Sequence, residues 1–205
     1  MTQNISIMKK FFYLLIFIFP VMAHSQATPG KALKKWKAGV FVGLFQPYIV
    51  LDNKKKVDKI DERGGFTFGS LLEANLNKRF SLTAKAGISF DGTTIQMGGG
   101  CVFFDYEVMP VSLDMSLDII YHPPFDPMIY IFAGAGYKNP FDTEYQKDIK
   151  SSMGIDLGIG FNKFLKRFAI SPELRYFWGI SNIRPVLTED ALYYHSIALV
   201  INIKG

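Results

Sequence analysis

The most constraining feature of this chain is an alternation of apolar and polar residues in long runs from Trp36 to the C-terminus. Within 153–162, every second residue is a large apolar side chain, and the residues between them are Gly, Asp or Asn. Successive side chains of a strand point to opposite faces, so this pattern predicts strands with one apolar and one polar face. Turn signals divide the runs into eight strands, at roughly 36–48, 65–76, 80–96, 102–121, 128–138, 150–162, 167–183 and 193–204.

Strand length and face chemistry decide between a membrane barrel and a soluble one. A membrane-spanning strand needs ~9–11 residues, whereas soluble strands usually have ~5–6, and the runs here are longer than about ten. A soluble lipocalin-like barrel would turn its apolar faces inward. Large aliphatic residues on one face, against Gly and charged residues on the other, favour lipid outside. The sequence therefore predicts an all-β fold, an eight-stranded antiparallel up-and-down transmembrane β-barrel in a bacterial outer membrane.

The connections between the predicted strands alternate in length. Short ones fall at 77–79, 122–127 and 163–166, and mostly longer ones at 49–64, 97–101, 139–149 and 184–192. Outer-membrane barrels have short periplasmic turns and longer external loops. With eight strands, both termini are then expected on the periplasmic side.

The N-terminal segment predicts export. Lys9 and Lys10 precede an apolar run at 11–21, and small residues, Ala23 and Ser25, follow it. That order is the pattern of a cleaved secretory signal, and the run is too short for a transmembrane anchor. The expected organisation is a signal peptide at 1–25, a short periplasmic segment at 26–35 and the barrel at 36–205.

The polar faces of the predicted strands carry both signs of charge. We predict a lumen network of paired charges with Glu173 and Arg175 at its centre, because buried charges must be paired. Lys37 lies on the same face. The alternative interpretation is a proton or ion path. The network comprises Glu73, Lys85, Asp114, Asp118, Asp156, Glu173 and Arg175.

Aromatic residues gather near the ends of the apolar faces. Transmembrane barrels carry such girdles at both membrane interfaces. The predicted girdle residues are Trp36, Phe66, Phe80, Tyr121, Phe168, Tyr176 and Trp178.

Signals for catalysis and cofactors are weak. A site of His195, Ser196 and Asp190 is unfavourable, because adjacent residues of a strand point to opposite faces. The single cysteine, Cys101, excludes an internal disulfide and a cysteine-based zinc site. The net charge of +5 includes two lysines of the leader, so it argues only weakly for a nucleic-acid partner. We expect no enzyme, no cofactor and no nucleic acid.

Three segments suggest a family. They are YEVMPVSL at 106–113, IDLGIG at 155–160 and PELRYFWGISNI at 172–183. Together they resemble the PorT-type outer-membrane β-barrel family of Bacteroidetes. The resemblance implies an eight-stranded barrel and raises a role beside the type IX secretion machinery.

The leading functional hypothesis is a non-enzymatic outer-membrane barrel with a structural, assembly or secretion-accessory role. A narrow small-solute or ion channel is the second, and a surface enzyme acting on lipid or peptide is the third. Expected partners are outer-membrane lipids and, at the charged segment 52–63, lipopolysaccharide, with secretion-machinery proteins implied by the resemblance.

Overall fold

The computed structural model describes residues 36–51, 57–99, 102–126, 128–141, 149–165, 167–183 and 191–205. The predicted signal peptide at 1–25 and the segment at 26–35 lie outside these residues. The described strands are β1 (Trp36–Leu51), β2 (Val57–Asp61), β3 (Gly65–Asn75), β4 (Phe80–Phe90), β5 (Thr94–Gly99), β6 (Val102–Glu107), β7 (Val111–Tyr121), β8 (Ile129–Pro140), β9 (Ser152–Phe161), β10 (Lys163–Phe164), β11 (Ala169–Asn182) and β12 (Leu192–Lys204). Over the same residues, no helix is long and apolar enough to cross a membrane.

Eight of these strands form the barrel. Each pairs antiparallel with its neighbour in the order β1, β3, β4, β7, β8, β9, β11, β12, and β12 pairs back onto β1. Closure leaves no free sheet edge among the eight, which is the condition for strands to reside in lipid. The prediction of an eight-stranded antiparallel up-and-down barrel is confirmed.

The barrel is apolar outside and polar inside. Leu44, Ile119 and Leu199 on the outer face are more than half exposed, whereas Asp118 and Glu173 on the inner face are almost fully buried. A soluble protein of this size would not leave so many large apolar side chains exposed together. The outer face is therefore the lipid-contacting surface, and the interpretation as a soluble lipocalin-like barrel is excluded.

Inner-face glycines make room for large aromatic side chains. A Cβ on Gly160 would lie 2.2 Å from Cζ of Tyr130, and one on Gly158 would lie 2.4 Å from Cζ of Phe132. Each glycine lies directly opposite its aromatic residue across the β8–β9 pair. The Gly-rich inner face predicted from sequence thus packs against rings of the adjacent strand, which fills a narrow lumen.

We define the turn end as the end holding the connections 76–79, 122–128 and 162–168, and the loop end as the opposite one. The loop end carries a second sheet that the sequence analysis did not predict. β5 pairs with β2 and β6 to form a three-stranded sheet outside the barrel.

The predicted single strands 80–96 and 102–121 are therefore wrong. The first breaks after Phe90, where the Asp91 side chain accepts a hydrogen bond of 2.8 Å from the Thr93 N–H. The second breaks before Val111, next to Pro110, which has no backbone donor for a ladder. Local turn chemistry outweighs the continuing alternation of the flanking residues.

A buried apolar cluster fills the barrel at the loop end. We call it the mouth cluster. It joins residues of the barrel wall to Ile95, Val108 and Met109 of the connection between β4 and β7, each at most 2% exposed. The mouth cluster consists of Ile49, Ile95, Val108, Met109, Phe177, Ile183, Leu192 and Tyr194. The loop-end mouth is thus closed by apolar packing.

Candidate functional site

The charged side chains of the lumen form three tiers along the barrel axis. The lowest, nearest the turn end, centres on Glu73 of β3, which is 2% exposed. Lys37 Nζ donates to Glu73 Oε1 at 2.8 Å, and Lys204 Nζ donates to Oε2 at 2.9 Å. Both oxygens of one buried carboxylate are therefore satisfied by two cations, one from each strand flanking the barrel seam between β12 and β1.

The central tier contains two ion pairs. Lys85 of β4 pairs with Glu173 of β11, and the Tyr130 hydroxyl donates to the other Glu173 oxygen at 2.8 Å. Arg175, two residues further along the same face of β11, pairs with Asp118 of β7. These contacts connect opposite walls of the barrel, so they occupy its cross-section.

Asp156 of β9 is held more loosely in the same tier. Its Oδ1 lies 3.9 Å from Nε of Arg175, and that nitrogen has no hydrogen-bond partner. Asp156 also borders an internal cavity of about 70 Å³ above the central tier, together with Lys85 and Thr67. A cavity of this size, lined by aromatic and apolar side chains as well as charged ones, has room for a few water molecules, which could complete these hydrogen bonds.

The upper tier is built around Lys138 of β8. Its ammonium pairs with Asp114 of β7, which also accepts from the Ser89 hydroxyl. The same nitrogen lies 5.3–5.7 Å from the ring centroids of Phe45, Phe177 and Tyr194. An ammonium at this distance from three rings is stabilised by cation–π attraction and has little room to move.

A hydrogen bond joins the upper lumen to the loop end. The Tyr194 hydroxyl donates to Oδ2 of Asp91 at 2.7 Å, and the Thr93 N–H donates to Oδ1. Burial raises the pKa of Asp91, although these two donors and the charge of Lys138 act in the opposite direction. The carboxyl lies at the start of the connection that carries the outer sheet.

The structure divides the predicted network into tiers. Glu173, Arg175, Lys85, Asp118 and Asp156 come together at the centre, Asp114 lies in the upper tier, and Glu73 in the lowest. Sequence reasoning missed several partners, namely Tyr130, Lys138, Tyr194, Lys204 and Asp91.

A signal for two of the missed residues was present. Lys138 continues the inner face begun by Gly134 and Gly136, and Lys204 continues the polar face of the last strand. Alternation could therefore have placed both inside the barrel. Their partners depend on the register between strands, which alternation does not give.

The predicted girdle residues lie on the outer face at two levels. Trp36, Phe80 and Phe168 lie at the turn end and are well exposed, and Tyr121 pairs with Phe80 across β4 and β7. The ring centroids of Phe80 and Tyr121 are 5.2 Å apart. Nearer the loop end lie Phe66, Tyr176 and Trp178.

The two described residues of the considered catalytic site, His195 and Ser196, point to opposite faces of β12. His195 faces outward against Tyr176, with Nδ1 3.2 Å from its hydroxyl, whereas Ser196 faces the lumen and is 4% exposed. Asp190 lies outside the described residues. Among the residues that are described, no group of three or more His, Cys, Asp or Glu side chains could hold a metal ion.

Comparison with known proteins identifies the architecture. No protein-family model matches the chain, and no curated protein matches it. Among solved structures, the outer membrane protein OprG from Pseudomonas aeruginosa is similar, with a TM-score of 0.51, 13% identity and coverage of 82% of this chain and 92% of that one. This chain has the fold of a small outer-membrane β-barrel.

Ail, the attachment invasion locus protein of Yersinia pestis, aligns at 12% identity over 83% of this chain and 99% of its own, with a TM-score of 0.45. At 13% identity the likeness to OprG concerns the fold alone. The closed barrel and its apolar outer face place the protein in a bacterial outer membrane. The resemblance to the PorT-type family stays a prediction.

Proposed function

We propose that this protein is a closed, non-enzymatic outer-membrane barrel with a structural, assembly or secretion-accessory role. One observation carries the proposal: the lumen is crossed by the Lys85–Glu173 and Arg175–Asp118 pairs and is covered at the loop end by the mouth cluster. A pore needs a continuous polar path. In this barrel, ion pairs cross the lumen at the central tier, and the apolar mouth cluster lies between them and the loop end.

Energetics support a closed barrel. Separating a buried ion pair costs about 3–5 kcal/mol, because it leaves an uncompensated charge away from water. An ion entering from the loop end would also have to cross the mouth cluster, whose side chains are apolar apart from the Tyr194 hydroxyl, which already donates to Asp91, and cannot replace a hydration shell. Both barriers lie on the same axis, so spontaneous conduction is expected to be rare.

The loop end is the surface that would meet partners outside the membrane. The sheet of β2, β5 and β6 projects beyond the barrel there, with Lys59 of β2 exposed. Glu62 and Arg63, which follow β2, are exposed as well. Lipopolysaccharide phosphates suit the two cations, and a protein partner could add to the sheet. The resemblance to the PorT-type family favours the type IX secretion machinery as the source of that partner.

Planar-bilayer recording of the full chain tests closure. We expect no steady conductance from the wild-type protein. A variant without the central pair, Lys85→Ala with Glu173→Ala, should stay silent if the mouth cluster is an independent barrier. Ohmic conductance of the wild-type barrel would contradict the proposal.

Gene deletion tests the accessory role separately. Loss or mislocalisation of type IX cargo, or an altered set of outer-membrane proteins, is the expected result. Unchanged export and unchanged composition would remove this role and leave the closed barrel untouched. If the protein is not an enzyme, as we propose, His195→Ala should leave the structure of lipid A and the proteolysis of surface proteins unchanged.

A narrow channel is the second candidate. The cavity of about 70 Å³ beside Asp156, and the loose contact of that residue with Arg175, favour it. This candidate requires conductance that changes on Glu173→Ala or Arg175→Ala, and a silent bilayer for all three proteins would exclude it.

A further inference from the structure

The turn end carries a marked excess of positive charge. Lys78 and Arg79 lie in the connection from β3 to β4, and Lys163 and Arg167 in the connection from β9 to β11, all four with exposed side chains. Among the described residues of the three turn-end connections, the acidic residue is Asp126, whose carboxylate accepts a hydrogen bond of 2.8 Å from the Met128 N–H. In the described part of the chain, none of the four cations forms an ion pair.

The four cations lie at the depth of the lipid headgroups. Arg79 directly precedes Phe80, and Arg167 directly precedes Phe168, and both aromatic side chains are exposed on the outer face. Aromatic belts mark the boundary between hydrocarbon and headgroups. The backbone of each basic residue therefore lies at that boundary or within a few residues of it.

Hydrogen bonds fix the two turns that hold the cations. Asn77 Oδ1 accepts from the backbone N–H of Arg79 at 2.8 Å and of Phe80 at 2.9 Å. In the other turn, the Leu165 N–H donates to the Phe168 carbonyl at 2.8 Å. Because these turns are short and held by their own hydrogen bonds, their charged side chains start from a fixed position along the barrel axis.

The described loop end lacks this excess. Arg63 forms an ion pair of 2.7 Å with Asp61, and Lys59 and Lys150 are accompanied by Glu62 and Glu107. Among the described residues, the positive excess is thus confined to the turn end of the barrel.

We propose that the two cationic turns are binding sites for the headgroups of anionic phospholipids in the leaflet at the turn end. Each site combines a pair of cations, Lys78 with Arg79 or Lys163 with Arg167, with one girdle aromatic. Lipid surrounds a transmembrane barrel at this depth, so charge complementarity decides which headgroup is favoured. The two sites lie on opposite sides of the barrel, with two strands between them in either direction.

The two tryptophans of the chain make the proposal measurable. Trp36 pairs with Ala74 beside the β3–β4 turn, whereas Trp178 lies on the loop-end half of β11. In a Trp178→Phe variant folded into vesicles, fluorescence of Trp36 reports on lipids at the turn end. Trp36 fluorescence is measured with brominated phosphatidylglycerol in a background of phosphatidylcholine, and then with brominated phosphatidylcholine in a background of phosphatidylglycerol. The ratio of the two quenching curves gives the relative affinity of the turn end for the two headgroups.

We expect phosphatidylglycerol to be favoured over phosphatidylcholine at Trp36 by roughly fivefold or more. Each basic residue close to an anionic surface contributes about a fivefold gain in affinity. The preference should weaken with added salt. Adding Lys78→Gln and Arg79→Gln should bring it close to unity. The exchange Lys78→Arg with Arg79→Lys should retain it.

A Trp36→Phe variant gives the matched control, because its remaining Trp178 faces lipid near the loop end. We expect little headgroup preference there. An equal preference at both tryptophans, or one at Trp36 that survives Lys78→Gln and Arg79→Gln, would overturn the proposal. So would the absence of any preference at Trp36 in the protein that keeps all four cations.

Discussion

The Tyr194 hydroxyl donates a hydrogen bond of 2.7 Å to Asp91, which lies 103 residues earlier in the chain. Tyr194 belongs to the barrel wall, and Asp91 begins the connection that carries β5 and β6. Both residues are buried, and Tyr194 also belongs to the mouth cluster. This contact ties the outer sheet to the barrel, so it is the first place to test how the mouth is held closed.

Removing the Tyr194 hydroxyl should destabilise the barrel. Tyr194→Phe keeps the ring in the mouth cluster but leaves Oδ2 of Asp91 buried without its donor. The expected cost is about 1–3 kcal/mol in the free energy of unfolding, measured by urea titration of the protein in vesicles. Tyr193→Phe is the control, since that neighbouring residue is half-buried. Equal effects of the two variants would argue against the bond as a stabilising contact.

Asp91 should make stability depend on pH. Because burial raises the pKa of Asp91, the folded protein holds a proton there over a pH range in which the unfolded chain, with a pKa of ~3.9, has lost it. Stability should therefore fall as the pH rises from the unfolded pKa through the folded one. Asp91→Asn should flatten this part of the curve of unfolding free energy against pH. Parallel curves for the two proteins would contradict the assignment.

The central ion pair should be costly to break but cheap to replace. Glu173→Gln leaves Lys85 buried without a carboxylate and should destabilise the barrel by about 3–5 kcal/mol. Adding Lys85→Met removes the isolated charge and should restore part of that loss, which a double-mutant cycle measures. The exposed pair Asp61–Arg63 is the control, where Asp61→Asn should cost less than about 1 kcal/mol. Additive effects at Lys85 and Glu173 would show that the two side chains do not interact.

Gly160 should tolerate no side chain. A Cβ there would lie 2.2 Å from Cζ of Tyr130, so Gly160→Ala must displace the ring whose hydroxyl binds Glu173. We expect destabilisation of about 1–3 kcal/mol from overpacking. Gly64→Ala is the matched control, because its Cβ would meet its nearest neighbour, the Phe45 carbonyl oxygen, at 3.4 Å. If Gly160→Ala were as mild as Gly64→Ala, the packing of Tyr130 on β9 would be refuted.

Part of the site could be predicted because its signal is local. Glu173 and Arg175 lie two residues apart on an alternating run, so their shared inner face follows from sequence alone. Their partners could not be predicted in this way. Glu173 meets Lys85 across 88 residues, and Glu73 meets Lys204 across 131.

The outer sheet shows where alternation misleads. The run through Asp91 keeps the period of a strand, yet the Asp91 side chain caps a turn there, and the chain leaves the barrel until Pro110. The Asp-Gly-Thr and Pro signals were present in the sequence. They were outweighed in the prediction by the apolar alternation that continues past Asp91, where Ile95, Val108 and Met109 serve the mouth cluster rather than the membrane.

The sequence by itself determined the architecture: alternation over membrane-spanning lengths requires a closed barrel with lipid outside and charge inside, because each side chain's face depends on its parity along the strand. Tertiary structure decided which charges pair, where the mouth is closed and how the cationic turns are arranged around the rim. Those features depend on the register of strands that are distant in sequence, and register is set by the packing of the whole barrel.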